Sequence, residues 1–140
     1  MYSRFKDAFL LFGVFFVGGL SFSEAADKVN FGKQIWPIIE RSCLKCHRAP
    51  YKKPNGKIAK PKGELRLDSI ELFKKGGENG VIIVPGEPAK SKFLTLTTLP
   101  EDHDDIMPAK GDPLTKAETE LIKEWIQQGC DFGDFKPPVK

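Results

Sequence analysis

Cys43-Leu44-Lys45-Cys46-His47 constrains this chain more than any other feature. It sets two thiols three positions apart, with an imidazole directly after the second. In a helical turn two intervening residues bring the two sulfurs to one side, and the next residue projects over the same face. Three chemistries use a Cys-x-x-Cys pair. A redox dithiol sits on a strand-helix-strand scaffold, and nothing here alternates strands with crossover helices. A zinc site needs two more ligands. Only His103 and Cys130 remain to supply them, at spacings that match no zinc module. The third chemistry is covalent haem attachment. The thiols add across two vinyl groups, and the histidine binds the iron. The motif points to haem c, with Cys43 and Cys46 as thioethers and His47 as an axial iron ligand.

The N-terminus points to where such a haem would be joined. Arg4 and Lys6 precede an apolar stretch from Ala8 to Leu20, and small residues follow, ending Ser23-Glu24-Ala25-Ala26. A charged start, a short apolar run and a small-residue exit make up a secretory signal peptide. The run is short for a membrane span, which needs roughly 20 apolar residues. Residues 1–26 are expected to be a signal peptide cleaved near Ala25 or Ala26; the alternative is an uncleaved anchor. No cysteine lies near the exit to carry a lipid. The expected location is periplasmic or otherwise extracytoplasmic, with membrane contact only if the segment is retained.

An electron-transfer haem with both axial positions filled needs a second ligand, usually methionine, whose soft thioether raises the potential. Apart from Met1 the chain has one methionine, Met107, in Asp105-Ile106-Met107-Pro108-Ala109. A buried methionine is often a gap-filler, but a Met-Pro pair in a loop before the last helix is a poor place for one. Pro108 fixes φ and stiffens the approach. Met107 is therefore the expected second axial ligand. His103 is the competing ligand, but it lies in Glu101-Asp102-His103-Asp104-Asp105, which reads as solvent-exposed.

Around these residues the pattern is mostly helical. Phe31, Ile35 and Ile38/Ile39 fit one helix face. Pro37 interrupts it, so a kinked helix, or one restarting at Pro37, should lead into the Cys-x-x-Cys-His segment. His47 to Gly63 is rich in Pro, Lys and Gly and should be loop, at most a loose hairpin. Asp68 or Ser69 can cap a short helix from Ile70 to Lys75, ended by Gly76-Gly77. Val81-Ile82-Ile83-Val84 is a short apolar run closed by a turn at Pro85-Gly86. A further helix is expected to open at Glu87-Pro88 and run through Phe93, Leu94 and Leu96. Thr115 and Glu118 form a capping box for the last helix. Leu114, Leu121, Ile122, Trp125 and Ile126 line its apolar face, and Gly129 ends it. Trp125 should be core, packed on the first helix beside the haem. The Pro-rich tail, Asp131 to Lys140, should fray.

The formal net charge of +3 is too small to argue for nucleic-acid binding. Its distribution is uneven. Arg41 to Arg66 holds nine basic residues and one acid, Glu64, whereas Glu101 to Asp105 holds four acids and no base. Solvated loops and a docking face for an acidic redox partner both fit this pattern. Three cysteines cannot all pair. Cys130 reads as a small buried hydrophobe at a helix end or as a thiol for an intermolecular disulfide.

Taken in order, these motifs resemble class I c-type cytochromes, and most closely the planctomycete-type cytochrome c domain. That family resembles this chain at Phe31-Gly32-Lys33-Gln34-Ile35-Trp36-Pro37-Ile38-Ile39 and at Gly63-Glu64-Leu65-Arg66-Leu67-Asp68-Ser69. The likeness continues at Val84-Pro85-Gly86-Glu87-Pro88-Ala89-Lys90-Ser91, at Met107-Pro108-Ala109 and at Trp125-Ile126-Gln127-Gln128-Gly129. Two departures stand out: Glu64 replaces the second glycine of a Gly-Gly pair, and Ala109 replaces a proline after the methionine. The resemblance implies a mostly α, cytochrome c-like small domain over 27–131, wrapped around one covalent haem, with long irregular loops and a tail over 132–140. It implies His47 and Met107 as axial ligands, and Arg66 and its neighbours near the haem. With both axial sites filled by protein, an electron carrier rather than an enzyme is the expected function, with redox proteins as partners. A haem-based sensor and an electron-transfer subunit of a larger complex are the alternatives.

Overall fold

The computed structural model describes residues 27–138; the expected signal segment lies outside the described residues. The chain is helix-rich with few strands. A wide π turn, Phe31–Ile35, runs into α1, Trp36–Ser42. Asn30 caps the turn, its side chain accepting the Lys33 N–H at 2.9 Å. The expected restart at the proline is observed: Trp36 begins the new helix, and Pro37 stands in its first turn, where its missing N–H costs nothing.

The Pro- and Lys-rich stretch forms a minimal hairpin of β1, Tyr51–Lys52, and β2, Ile58–Ala59, followed by a 3-10 turn at Lys62–Glu64. Helix α2 spans Ile70–Lys75; Ser69 is its cap and Gly76 closes it, as the sequence predicts. The expected helix after Pro88 is broken into three pieces: a 3-10 turn Pro88–Lys90, α3 at Lys92–Thr95 and a 3-10 turn Leu96–Thr98. Ser91 makes the break. Fully buried, its hydroxyl accepts the Val84 N–H at 2.9 Å and lies 3.0 Å from the Glu87 carbonyl. The helix therefore yields to a bond that pins the apolar run 81–84 against it. Helix α4, Lys116–Gln127, carries the full capping box of Thr115 and Glu118.

The core is aromatic. Phe31 packs on Trp125 at 5.2 Å and on Phe132 at 4.6 Å between ring centres, and Phe73 on Phe93 at 5.1 Å. Trp125 is fully buried and meets the first helical segment, as expected. The expectation of a fraying tail does not hold for its first part, residues 131–135. Trp125 Nε1–H donates to the Asp131 carbonyl at 2.8 Å, and Phe132 is buried. Phe135 packs on Phe31 and Trp36. The proline count of the tail masked two phenylalanines that the core accepts. Gly32 makes room for one of them: a Cβ there would lie 2.6 Å from the Phe135 ring.

Candidate functional site

Helix α1 delivers its chain directly into the cysteine pair. The N–H groups of Cys43 and Leu44 both reach the Ile39 carbonyl, at 2.8 and 3.1 Å, which ends the helix. The Cys46 and His47 N–H groups then fold back onto the Cys43 carbonyl at 3.1 and 3.0 Å, giving the tight turn that the motif requires. Two outside strands of chain hold this turn: Lys62 N–H donates to the Cys46 carbonyl and Leu67 N–H to the His47 carbonyl, each at 2.9 Å.

The His47 ring is oriented by backbone. Its Nδ1 lies 3.1 Å from the Lys62 carbonyl, to which Nδ1–H donates. A metal-binding histidine is fixed in this way through the ring nitrogen that does not hold the metal. Burial holds His47 below the ordinary imidazole range, against the opposing pull of its bonds to the Lys62 and Leu65 backbone. Burial also pushes the Cys43 thiol up to about 12.

A cavity of about 540 Å³ opens beside this turn. Cys43, Cys46 and His47 lie on its wall, and so does Met107. Sixty residues of sequence separate Met107 from His47, and the fold brings them to one space. Met107 is placed by its own N–H, which donates to the Leu96 carbonyl at 2.9 Å. Much of the remaining lining is apolar, including Leu65, Leu67, Phe93, Leu96 and Leu114. Such a lining, with a few polar groups on the wall, is the make-up of a cofactor site, and the volume lies in the range of such sites. The residues present therefore fit a haem: two thiols, an oriented imidazole and a thioether around one apolar space.

One expectation holds here and two change. His103 is exposed and off the cavity wall, its Nδ1 accepting the Asp105 N–H at 3.0 Å. Trp125 is core but does not reach the cavity; Phe93 does, linked to Trp125 through Phe73. Arg66 does not face the cavity either. In the extended segment Leu65-Arg66-Leu67 the two leucines line it, and Arg66 points the other way. Arg66 pairs there with Asp68, Nε to Oδ1 at 3.0 Å. Asp68 also accepts the Ala49 N–H at 2.8 Å, bracing the backbone just after His47. Burial pushes the Asp68 carboxyl up, but the bonds from Arg66 and Ala49 outweigh it and hold it below the usual carboxylate range. Alternation of apolar and polar residues over 64–68 was the signal for this division.

Sequence reasoning missed the Lys62 carbonyl, which no residue pattern announces. It also missed two cations of the cavity wall. Arg41, Lys45 and Lys62 belong to the basic stretch, but Lys92 and Lys110 come from elsewhere, and Asp112 is the only acid on the wall. Cys130 is a buried free thiol whose pKa burial pushes up to about 11, matching the reading of a small hydrophobe. Among the described residues no helix is long and apolar enough to cross a membrane.

No curated protein and no solved structure gives a match to the chain. The model of the planctomycete cytochrome C family does match, over residues 43–111, from the first cysteine of the motif to the glycine beyond Met107. That is the family the sequence resembles, and residues 43–111 are similar to it.

Proposed function

We propose that this protein is an extracytoplasmic electron carrier holding one haem c, bound covalently through Cys43 and Cys46, with His47 and Met107 as axial ligands. One observation carries the reading: two thiols, a backbone-oriented imidazole and the only thioether beyond Met1 line a single apolar cavity. When bound, the haem supplies an iron that cycles between Fe(II) and Fe(III).

The chain's own part is to attach, orient and enclose. The turn at 43–47 presents both thiols toward the cavity. The Lys62 carbonyl holds the Nδ1 proton of His47 and so fixes the ring, leaving the other nitrogen to serve as the ligand. The Leu96 carbonyl seats the backbone of Met107. Leu65, Leu67 and Phe93 keep water away, which favours the less charged iron state. With both axial positions filled by protein, little room is left for a substrate, so the reading is a carrier and not an enzyme. Five cations against one acid on the cavity wall support an acidic redox partner, steered by charge and weakened by salt.

The test is optical. The oxidised protein should show the weak far-red band of methionine sulfur on ferric haem, and Met107→Ala should abolish it while the haem stays attached. Ready binding of carbon monoxide by the reduced wild type would overturn the carrier reading in favour of a haem-based sensor.

A further inference from the structure

The hairpin after the attachment turn has no part in the cavity, since none of residues 51–60 lines it. Its strands pair over two residues each, and the tip Lys53-Pro54-Asn55-Gly56-Lys57 closes with Lys53 N–H on the Lys57 carbonyl at 2.8 Å. Pairing Lys52 with Ile58 and Tyr51 with Ala59 divides the hairpin into two faces. Tyr51 and Ala59 turn inward and are half-buried. Lys52 and Ile58 turn outward, and alternation sets Lys60 beside Ile58. Ile58 is 59% exposed, the most open large hydrophobic residue among those described.

Lys52, Lys53, Lys57 and Lys60 are all exposed. Among the described residues none of the four forms an ion pair. From 48 to 63 the chain has no acid. Four like charges on one small hairpin repel each other unless an anionic surface meets them. A protein partner does not fit this composition well: interface cores are depleted in lysine and anchored by aromatic or arginine side chains. The hairpin's one aromatic, Tyr51, is turned inward, with the Arg48 guanidinium 3.8 Å above its ring. A lipid surface fits better. Lysine stems lie along it with their ammonium groups on phosphates, and an aliphatic residue between them enters the acyl boundary.

We propose that the hairpin 51–60 docks on an anionic phospholipid surface, with Lys52, Lys53, Lys57 and Lys60 on headgroups and Ile58 at the acyl boundary. The proposal is independent of haem loading and of the cavity.

The experiment is co-sedimentation of the exported protein, as isolated, with vesicles of phosphatidylcholine containing phosphatidylglycerol, compared with phosphatidylcholine alone. Binding to the anionic vesicles is expected to be at least tenfold stronger and to weaken with salt. Each lysine near such a surface contributes about fivefold. The combined Lys52→Gln, Lys53→Gln, Lys57→Gln, Lys60→Gln variant should therefore lose about a hundredfold or more, with an unchanged circular dichroism spectrum. Ile58→Ser should lose several-fold and keep the salt dependence. Equal binding to both vesicle types overturns the proposal, because a retained N-terminal segment or general stickiness would explain it. A quadruple variant that binds vesicles like the parent, yet fails to bind an acidic redox protein, also overturns it and makes the hairpin a protein-docking element.

Discussion

The two walls of the cavity are held in very different ways. The wall at 43–49 is tied into the fold by a dense set of bonds: to Ile39 in α1, to Lys62 and Leu67 in the segment beside it, and to the Asp68 carboxylate. The part of the wall that holds Met107 belongs to the loop 100–113. Among the described residues its one backbone bond to the rest of the fold is Met107 N–H on the Leu96 carbonyl. Its other bonds, such as Ile106 N–H on the His103 carbonyl, are internal turns. Where covalent attachment is expected the backbone is over-determined, and where a reversible ligand is expected it is held at one point. Local opening follows the weaker set of contacts. The methionine side should therefore open first, and the attachment side should report the global stability.

The largest break in this comparison comes from the attachment wall itself. Replacing both thiols, Cys43→Ser with Cys46→Ser, should abolish covalent haem, read as loss of haem staining on a denaturing gel. Met107→Ala should leave that staining intact, which separates the two walls. Next in size is the core beneath them. Trp125 is fully buried against Phe31 and Phe132, so Trp125→Ala should cost about 3–5 kcal/mol in chemical denaturation and weaken both walls together.

Asp68 sharpens the contrast, because its carboxylate braces only the attachment side. Asp68→Asn should cost about 1–2 kcal/mol near neutral pH, the scale of hydrogen bonds to a charged group. Its folded-state pKa is depressed, so its contribution is present above the ordinary carboxylate pKa and is lost as pH falls through the folded value. The penalty of the variant should thus shrink below about pH 4, measured as urea midpoints across pH. The smallest effect concerns Glu64. It occupies a left-handed conformation, φ +52°, beside Gly63, and the resemblance sets a glycine at that position. Glu64→Gly should stabilise by about 1 kcal/mol, because a non-glycine residue in that region is strained by roughly this amount. An unchanged denaturation midpoint would contradict it.

Much of this was legible in the sequence, for identifiable reasons. Capping chemistry is local, so Ser69, Thr115 and Glu118 announced their helices. The spacing of Cys43, Cys46 and His47 is set by the chemistry it serves, and Met107 stood out because nothing competes with it except His103. The unreadable features are tertiary. Ser91 looked like part of a helix until its hydroxyl met Val84. The tail looked loose because Phe132 and Phe135 are separated by polar residues, and only the aromatic cluster shows why they bury. Arg66 was placed by association with the haem, and the alternation of Leu65 and Leu67 around it turns it away.

A covalent haem held by this chain is what the intact mass of the exported protein tests most directly. It should equal the processed polypeptide plus one haem, lost only in the Cys43→Ser, Cys46→Ser variant. A mass equal to the polypeptide alone, from cells competent to attach haem c, would contradict the central claim.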